Sequence, residues 1–437
     1  MDRCKSRMTL AALLVIAVLA PTARADAQED RIARLEAQLA AMQTELAALK
    51  TQAAQQAASP PLAAADEQAI TAAVSKAVEQ KMAEQPKLPD WVNNVKLNGD
   101  FRYRHEWTDD ETRVADRNRH RIQARIGLYG TANEELGYGF RLASGNSEAP
   151  QDEGSPTSNN QDLGNAFSSK NIWLDLAYFD YHPKAVPGLN VYGGKMLNPY
   201  RVVGNSDLMF DSDVTPEGIA AVYKTQFSDT VDLFGAAGGY IVRERSTDAE
   251  TSLWGAQGGA TVKLAAAAVT AGAGYFNYGN VEGRPGLGTD PTQFFGNRNT
   301  GGVFDSDFDL VQGFAEVGVP MGEQPVRIFA DVIKNTRALS SQDTAYLVGA
   351  SLGKCTAPGT WAVAYNYRDV EADALLGVLA EATFGGGGTD IKGHKFGVTY
   401  QLAKNTLFGV TYMMAERTRS GATNDFDVAT VDFTLKF

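Results

Sequence analysis

Beyond Trp91, apolar and polar residues alternate with a period of two, stretch after stretch, which is the side-chain repeat of a β-strand with two unlike faces. The clearest case is Asp425 to Phe437. There Ala429, Val431, Phe433, Leu435 and Phe437 fall on one face, and Thr430, Asp432, Thr434 and Lys436 on the other. The same pattern predicts strands at 95–107, 118–131, 134–144, 170–183, 188–198, 216–227, 229–244, 251–265, 266–279, 307–320, 324–336, 343–354, 359–370, 391–403, 405–417 and 425–437. That is about sixteen strands, and the alternation is faintest in the glycine-rich region 235–274.

An apolar strand face must be covered. A second sheet covers it in a soluble sandwich; lipid covers it in an outer-membrane barrel, whose polar faces then line a lumen. The connections favour the barrel. Long ones at 145–169, 199–215, 280–306 and 371–390 alternate with short ones at 131–134, 227–230, 320–324 and 403–405, the rhythm of long outer loops and tight periplasmic turns. An even strand number also leaves both ends of such a barrel in the periplasm.

The segment before residue 91 agrees with that compartment. Arg3, Lys5 and Arg7 precede a short apolar run, Leu10 to Ala20, and Ala23-Arg24-Ala25 supplies an A-x-A site before Asp26. Residues 1–25 are therefore expected to be a secretory signal peptide. That run is too short to cross a bilayer and no later stretch approaches the ~20 apolar residues of a spanning helix, so membrane residence has to use strands. Over residues 26–52, Ile32, Leu35, Leu39, Met42, Leu46 and Leu49 occupy the a and d positions of heptads, which predicts a short α-helical coiled coil. A seam that narrow implies self-association or packing on a partner. Residues 53–90 are expected to be a linker with a second helix, Asp66 to Glu84, ended by Pro86 and Pro89. The expected architecture is thus all-β, a transmembrane antiparallel β-barrel over 91–437 behind a periplasmic coil.

Charge and cysteine usage narrow the function. Removing residues 1–25 takes away four basic residues and one acidic one, leaving 36 Lys+Arg against 51 Asp+Glu, formally −15. This argues against a nucleic-acid partner. Cys4 leaves with the signal, so Cys355 is alone and no intramolecular disulfide is expected. The four histidines, His105, His120, His182 and His394, form no Ser/His or acid pairing typical of a barrel enzyme, so no catalysis and no cofactor are expected. Asp305, Asp307 and Asp309 make a D-x-D-x-D without the rest of a calcium loop, and no metal is expected.

Sorting the first three strands by face points to a channel. Val95, Leu97, Phe101, Tyr103, Ile122, Ala124, Ile126, Leu128, Leu136, Tyr138, Phe140 and Leu142 make the apolar sides. Lys96, Arg102, Arg104, Arg119, Arg121, Arg125 and Arg141 make the opposite ones. Each such cation would cost roughly 2–4 kcal/mol at the hydrocarbon midplane, so the group should face the lumen. There it would either tune selectivity or pair structurally with Asp100, Glu106 and Asp116.

The coil, the LNGDFRYRHEW strand, the FDSDVTPEG segment and the TVDFTLKF end resemble the putative-porin family of Gram-negative outer membranes over most of the mature chain. The resemblance implies passive diffusion of small hydrophilic solutes and ions. It also implies that the connection 199–215 folds inward, with Asp207, Asp211, Asp213 and, at the strand start after it, Glu217 as a constriction loop, and that Phe437 serves as the assembly signal. By the same analogy the molecule would be a homotrimer seated in outer-membrane lipid. The competing expectation is an anchor whose coil contacts peptidoglycan or a periplasmic partner.

Overall fold

The computed structural model describes residues 94–148, 153–322 and 324–437. The expected signal peptide, coiled-coil seam and linker lie outside the described residues. Sixteen antiparallel strands make one closed sheet. They are β1 (Val95–Asp110), β2 (Arg117–Asn133), β3 (Leu136–Ser144), β4 (Ile172–Tyr181), β5 (Leu189–Lys195), β6 (Glu217–Ser228), β7 (Val231–Arg243), β8 (Thr251–Lys263), β9 (Ala268–Gly279), β10 (Phe308–Val319), β11 (Val326–Asn335), β12 (Thr344–Gly353), β13 (Trp361–Val370), β14 (Ile391–Ala403), β15 (Thr406–Arg419) and β16 (Ala422–Lys436). Every strand expected from the alternation is present, including β7 to β9 in the glycine-rich region.

Closure comes from β1 pairing with β16, in a register running from Asp100↔Lys436 to Asp110↔Phe426. Beyond it the Gly99 amide donates to the Phe437 carbonyl at 2.9 Å and the Phe437 amide to the Gly99 carbonyl at 3.0 Å. A closed ladder leaves no edge, which is what hydrocarbon demands of a sheet. The tightest outer connection, between β15 and β16, turns on Ser420 (φ 52°) and Gly421 (φ 79°). Two consecutive positive φ values are the geometry whose twist matches a hairpin's, and glycine adopts it freely.

Outward residues such as Leu97, Ile126, Leu128, Phe140, Leu142, Leu174 and Ile219 are exposed, forming the lipid face. The inside is divided. From β8 to β12 the lumen side carries Leu253, Phe276, Tyr278, Phe308, Leu310, Phe314, Phe329, Ile333 and Leu347, all buried. They are covered from within by apolar residues of three long connections: Tyr200, Leu208 and Phe210 of 196–216, Phe294 and Phe304 of 280–307, and Leu375, Leu376 and Phe384 of 371–390. From β1 to β3 the lumen side is instead ionic. Hydrophobic burial therefore pins three loops against one half of the wall and leaves the other half polar.

Candidate channel constriction

Register converts the alternating arginines into a lattice of pairs. Even-numbered residues of β1 face odd-numbered residues of β2, with Asp100 opposite Arg125, Arg102 opposite Gln123, and Glu106 opposite Arg119. On the other flank Arg104 sits opposite Asp432 of β16, and its guanidinium makes a two-pronged contact with that carboxylate at 2.7 and 2.8 Å. Arg125 reaches Asp100 at 3.0 Å. Glu106 accepts from both Arg119 and Arg121, the latter at 3.1 Å. Asp162, on a two-residue strand 161–162 that pairs with β2, adds a contact of 2.7 Å to Arg121 and one of 3.3 Å to Arg119. Arg141 pairs with Asp175 of β4.

The expected cationic wall is therefore a largely compensated one. Pairing is the physical alternative to exposing bare cations in a restricted, low-dielectric lumen. Asp100 and Glu106 are among the partners named by the pattern, whereas Asp116 takes a hydrogen bond from the Trp107 indole at 3.1 Å. Arg102 differs from the other five. Its Nη2 donates to Asn160 Oδ1 at 2.7 Å, its Nε is buried without a partner, and no carboxylate among the described residues pairs with it.

Facing this wall is the segment 196–216. It is bolted to the packed half of the barrel by polar contacts: the Arg201 amide donates to Gln257 Oε1 at 2.7 Å, and the Gly204 amide to Glu316 at 2.7 Å. Gln257 donates to Gln312 at 2.9 Å and Gln312 to Asp331 at 3.0 Å, so the anchor is a relay across β8, β10 and β11. Tyr200 packs edge-on against Phe276, with ring centres 4.8 Å apart.

The segment also docks on 371–390. The Asp211 amide donates to the Leu379 carbonyl at 2.8 Å, and the Ala382 amide to the Asp211 carboxylate at 2.9 Å. Glu381 is clamped by Arg368 of β13 at 2.5 Å and Lys395 of β14 at 2.6 Å, while the Arg368 guanidinium lies 4.7 Å from the Phe384 ring centre. Asn297 links the third loop by donating to the Ala372 and Leu375 carbonyls at 2.7 and 2.8 Å.

Arg102, Arg104 and Arg125 on one side and Asp207, Asp211 and Asp213 on the other line a single cavity of about 340 Å³. Asp213 bridges the two sides, meeting Arg125 at 3.3 Å and accepting from the Asn159 amide at 3.1 Å. A second cavity of about 360 Å³, lined by Glu106, Arg119, Arg121 and Arg417, shares Thr157, Ser158, Asn160 and Thr383 with the first, so the two adjoin towards the long-loop end.

Enclosure sets the loop carboxylates apart electrostatically. Burial raises Asp207 to about 6, with Glu381 adding to the effect. Burial likewise raises Asp211 to about 8, helped by neighbouring Asp213 and opposed by two backbone N–H donors. For Glu381 burial acts upward too, but Lys395 and Arg368 outweigh it and hold the group down at about 2.

Glu217 does not belong to this constellation. It begins β6, shares the outer face with exposed Ile219, and pairs with Lys195 at 2.8 Å. The strand starts one residue after Pro216, and the period of two sends its first side chain away from the lumen. Arg368, Glu381 and Lys395 were not singled out from the sequence. A signal was available in LLGVL, 375–379, since four large apolar side chains in a long loop have to be buried somewhere. Asp307 and Asp309, weighed as calcium ligands, are engaged by protein groups: the Glu282 amide donates to Asp307 at 2.9 Å and Tyr275 to Asp309 at 3.2 Å.

A closed sixteen-strand barrel with an apolar outer band, a partly open lumen and loops folded inside defines a porin-type channel of the outer membrane. The chain belongs to the putative porin family, whose sequence pattern matches residues 108–301 and 308–437. Among solved structures it is similar to OprB of Pseudomonas putida, determined at high pH, with a TM-score of 0.51 at 10% identity over 79% of this chain and 95% of that one. It is also similar to Salmonella typhi OmpF in complex with daunomycin, with a TM-score of 0.49 at 12% identity over 79% and 98% of the two chains. At these identities the likeness to OprB speaks to the fold alone. No curated protein matches in sequence.

Proposed function

We propose that the protein passes small hydrophilic solutes and ions by diffusion, and that its selectivity is set where the β1–β2 wall faces segments 196–216 and 371–390. The observation that carries this is the cavity with arginines on one side and carboxylates on the other. Charges fixed on opposite walls create a transverse field that acts on any solute small enough to enter. Because most wall arginines are compensated, net charge preference is expected to be weak. Phe437, which continues the β1–β16 closure by its exchange with Gly99, fits a role in assembly. A homotrimer is part of the same proposal.

The test is conductance of natively folded protein in a planar bilayer under a KCl gradient. Discrete steps grouped in threes support the trimeric channel, and the reversal potential gives the sign of selectivity. A folded barrel that never conducts would overturn the channel reading. It would favour the anchor, which rests on residues 28–50 outside the described region.

A further inference from the structure

We infer that the constriction holds a subsite for small zwitterionic solutes, with Arg102 receiving the carboxylate and Asp207 the ammonium group. This rests on the channel reading above and adds a solute class to it.

The argument is an accounting of charges around the cavity. Its lining contains four cations, Arg102, Arg104, Arg125 and Lys395, and four carboxylates, Asp207, Asp211, Asp213 and Glu381. Three of the cations are spoken for: Arg104 by Asp432, Arg125 by Asp100 and Asp213, and Lys395 by Glu381. Three of the carboxylates are likewise held, Asp213 by Arg125, Glu381 by Arg368 and Lys395, and Asp211 by the amides of Ala382 and Asp213. Two charged ends are left over. Arg102 touches only the neutral Asn160 amide oxygen and keeps a buried Nε without an acceptor.

Asp207 contributes its backbone carbonyl, at 3.5 Å, to Arg368. Among the described residues its carboxylate takes part in no ion pair. The two leftover groups have opposite sign and stand on opposite elements, β1 and the inward segment, around one space.

A desolvated guanidinium with an orphaned N–H is completed by a carboxylate, which matches its planar donors. An unpaired carboxylate in the same space is completed by an ammonium group, which donates without accepting. A ligand bearing only one of these would satisfy one end and leave the other. An anion would in addition meet the carboxylates facing the wall, and a cation the arginines. A molecule carrying both satisfies both ends and brings no net charge of its own into the cavity.

The experiment is liposome swelling with the full-length protein at pH 7.5, using L-serine, N-acetyl-L-serine, L-serinamide and glycerol as size-related probes. The expected result is entry of serine ahead of both singly charged analogues by roughly tenfold, the order of one charge-assisted hydrogen bond. Arg102→Gln and Asp207→Asn should each abolish that advantage, and Arg102→Lys should retain part of it. Equal rates for serine and N-acetylserine would overturn the inference, as would a serine advantage surviving in Asp207→Asn, which would leave a carboxylate site only. Glycerol separates the two levels: glycerol entry without a serine preference sinks the zwitterion subsite alone, and no entry of any probe sinks the channel reading with it.

Discussion

Two halves of one sheet face each other across the lumen with opposite chemistry. From β1 to β3 and on β16 the inward side chains are ionic and engage one another across strands, as in Arg104 with Asp432 and Arg125 with Asp100. From β8 to β12 they are mainly aromatic and aliphatic, interrupted by the Gln257–Gln312–Asp331 relay, and loops cover them. The strands are the same kind of object in both halves. What differs is what the interior offers them: water and counter-charges on one side, apolar loop residues on the other. A lumen-facing Phe is stable where a loop excludes water, and a lumen-facing Arg is stable where a carboxylate lies within reach.

The largest expected effect comes from unclamping the packed half. Glu381 is the hinge between its loop and the wall, and its loss strands Arg368, whose side chain is 3% exposed. Removing one partner of a buried ion pair costs about 3–5 kcal/mol. That is enough to release 371–390 while the closed ladder of strands survives. Glu381→Ala is expected to conduct more per step than the parent and with more current noise. A conductance trace indistinguishable from the parent's would mean the loop does not depend on this clamp.

The contrast between the halves also marks how far the sequence could be followed. Period-two alternation identifies the strands of both halves, because it survives whichever face is apolar. It sorts faces only where one side is polar, as on β1 and β2. On β8 to β12 both faces carry apolar residues, so Phe276 or Leu310 is indistinguishable in sequence from a lipid-facing residue until the loops are in place. That the arginines share one face of their strands was legible; their compensation was not, since Arg104 and Asp432 stand 328 residues apart and meet only through closure of the sheet. Glu217 was grouped with the inward loop because strand onset lies at Pro216–Glu217, and a boundary shifted by one residue reverses a side chain's face.

Next in size is a test of the outer face that both halves share. Leu128 of β2 is exposed on the lipid side, three residues along the strand from Arg125 and on the opposite face. Leu128→Arg should cost roughly 2–4 kcal/mol if the residue sits near the hydrocarbon midplane, read out as reduced stability in a denaturant titration of the vesicle-inserted barrel. Unchanged stability would contradict the assignment of faces on which the comparison rests. A smaller effect is expected inside the ionic half. Asp432→Asn removes the carboxylate that neutralises Arg104 and should move the KCl reversal potential toward anions, leaving step size nearly the same. A move toward cations would show that Arg104 does not face the conducting path.

The smallest and most specific effect is the response to pH, which should originate on the loop side of the constriction. Asp207 and Asp211, raised to about 6 and about 8, are neutral below those values and negative above them. Glu381, packed against the same segment, stays charged throughout that window because Lys395 and Arg368 hold it at about 2. Rising pH therefore adds negative charge opposite the arginine wall in two stages. Reversal potentials measured from pH 5 to 9 should drift toward cation preference, first near 6 and again near 8. Asp207→Asn should remove the lower stage and Asp211→Asn the upper one. A flat profile in the parent protein would place both carboxylates outside the electrical path. A single stage, abolished by either substitution, would instead show that the two titrate as one coupled unit across the loop.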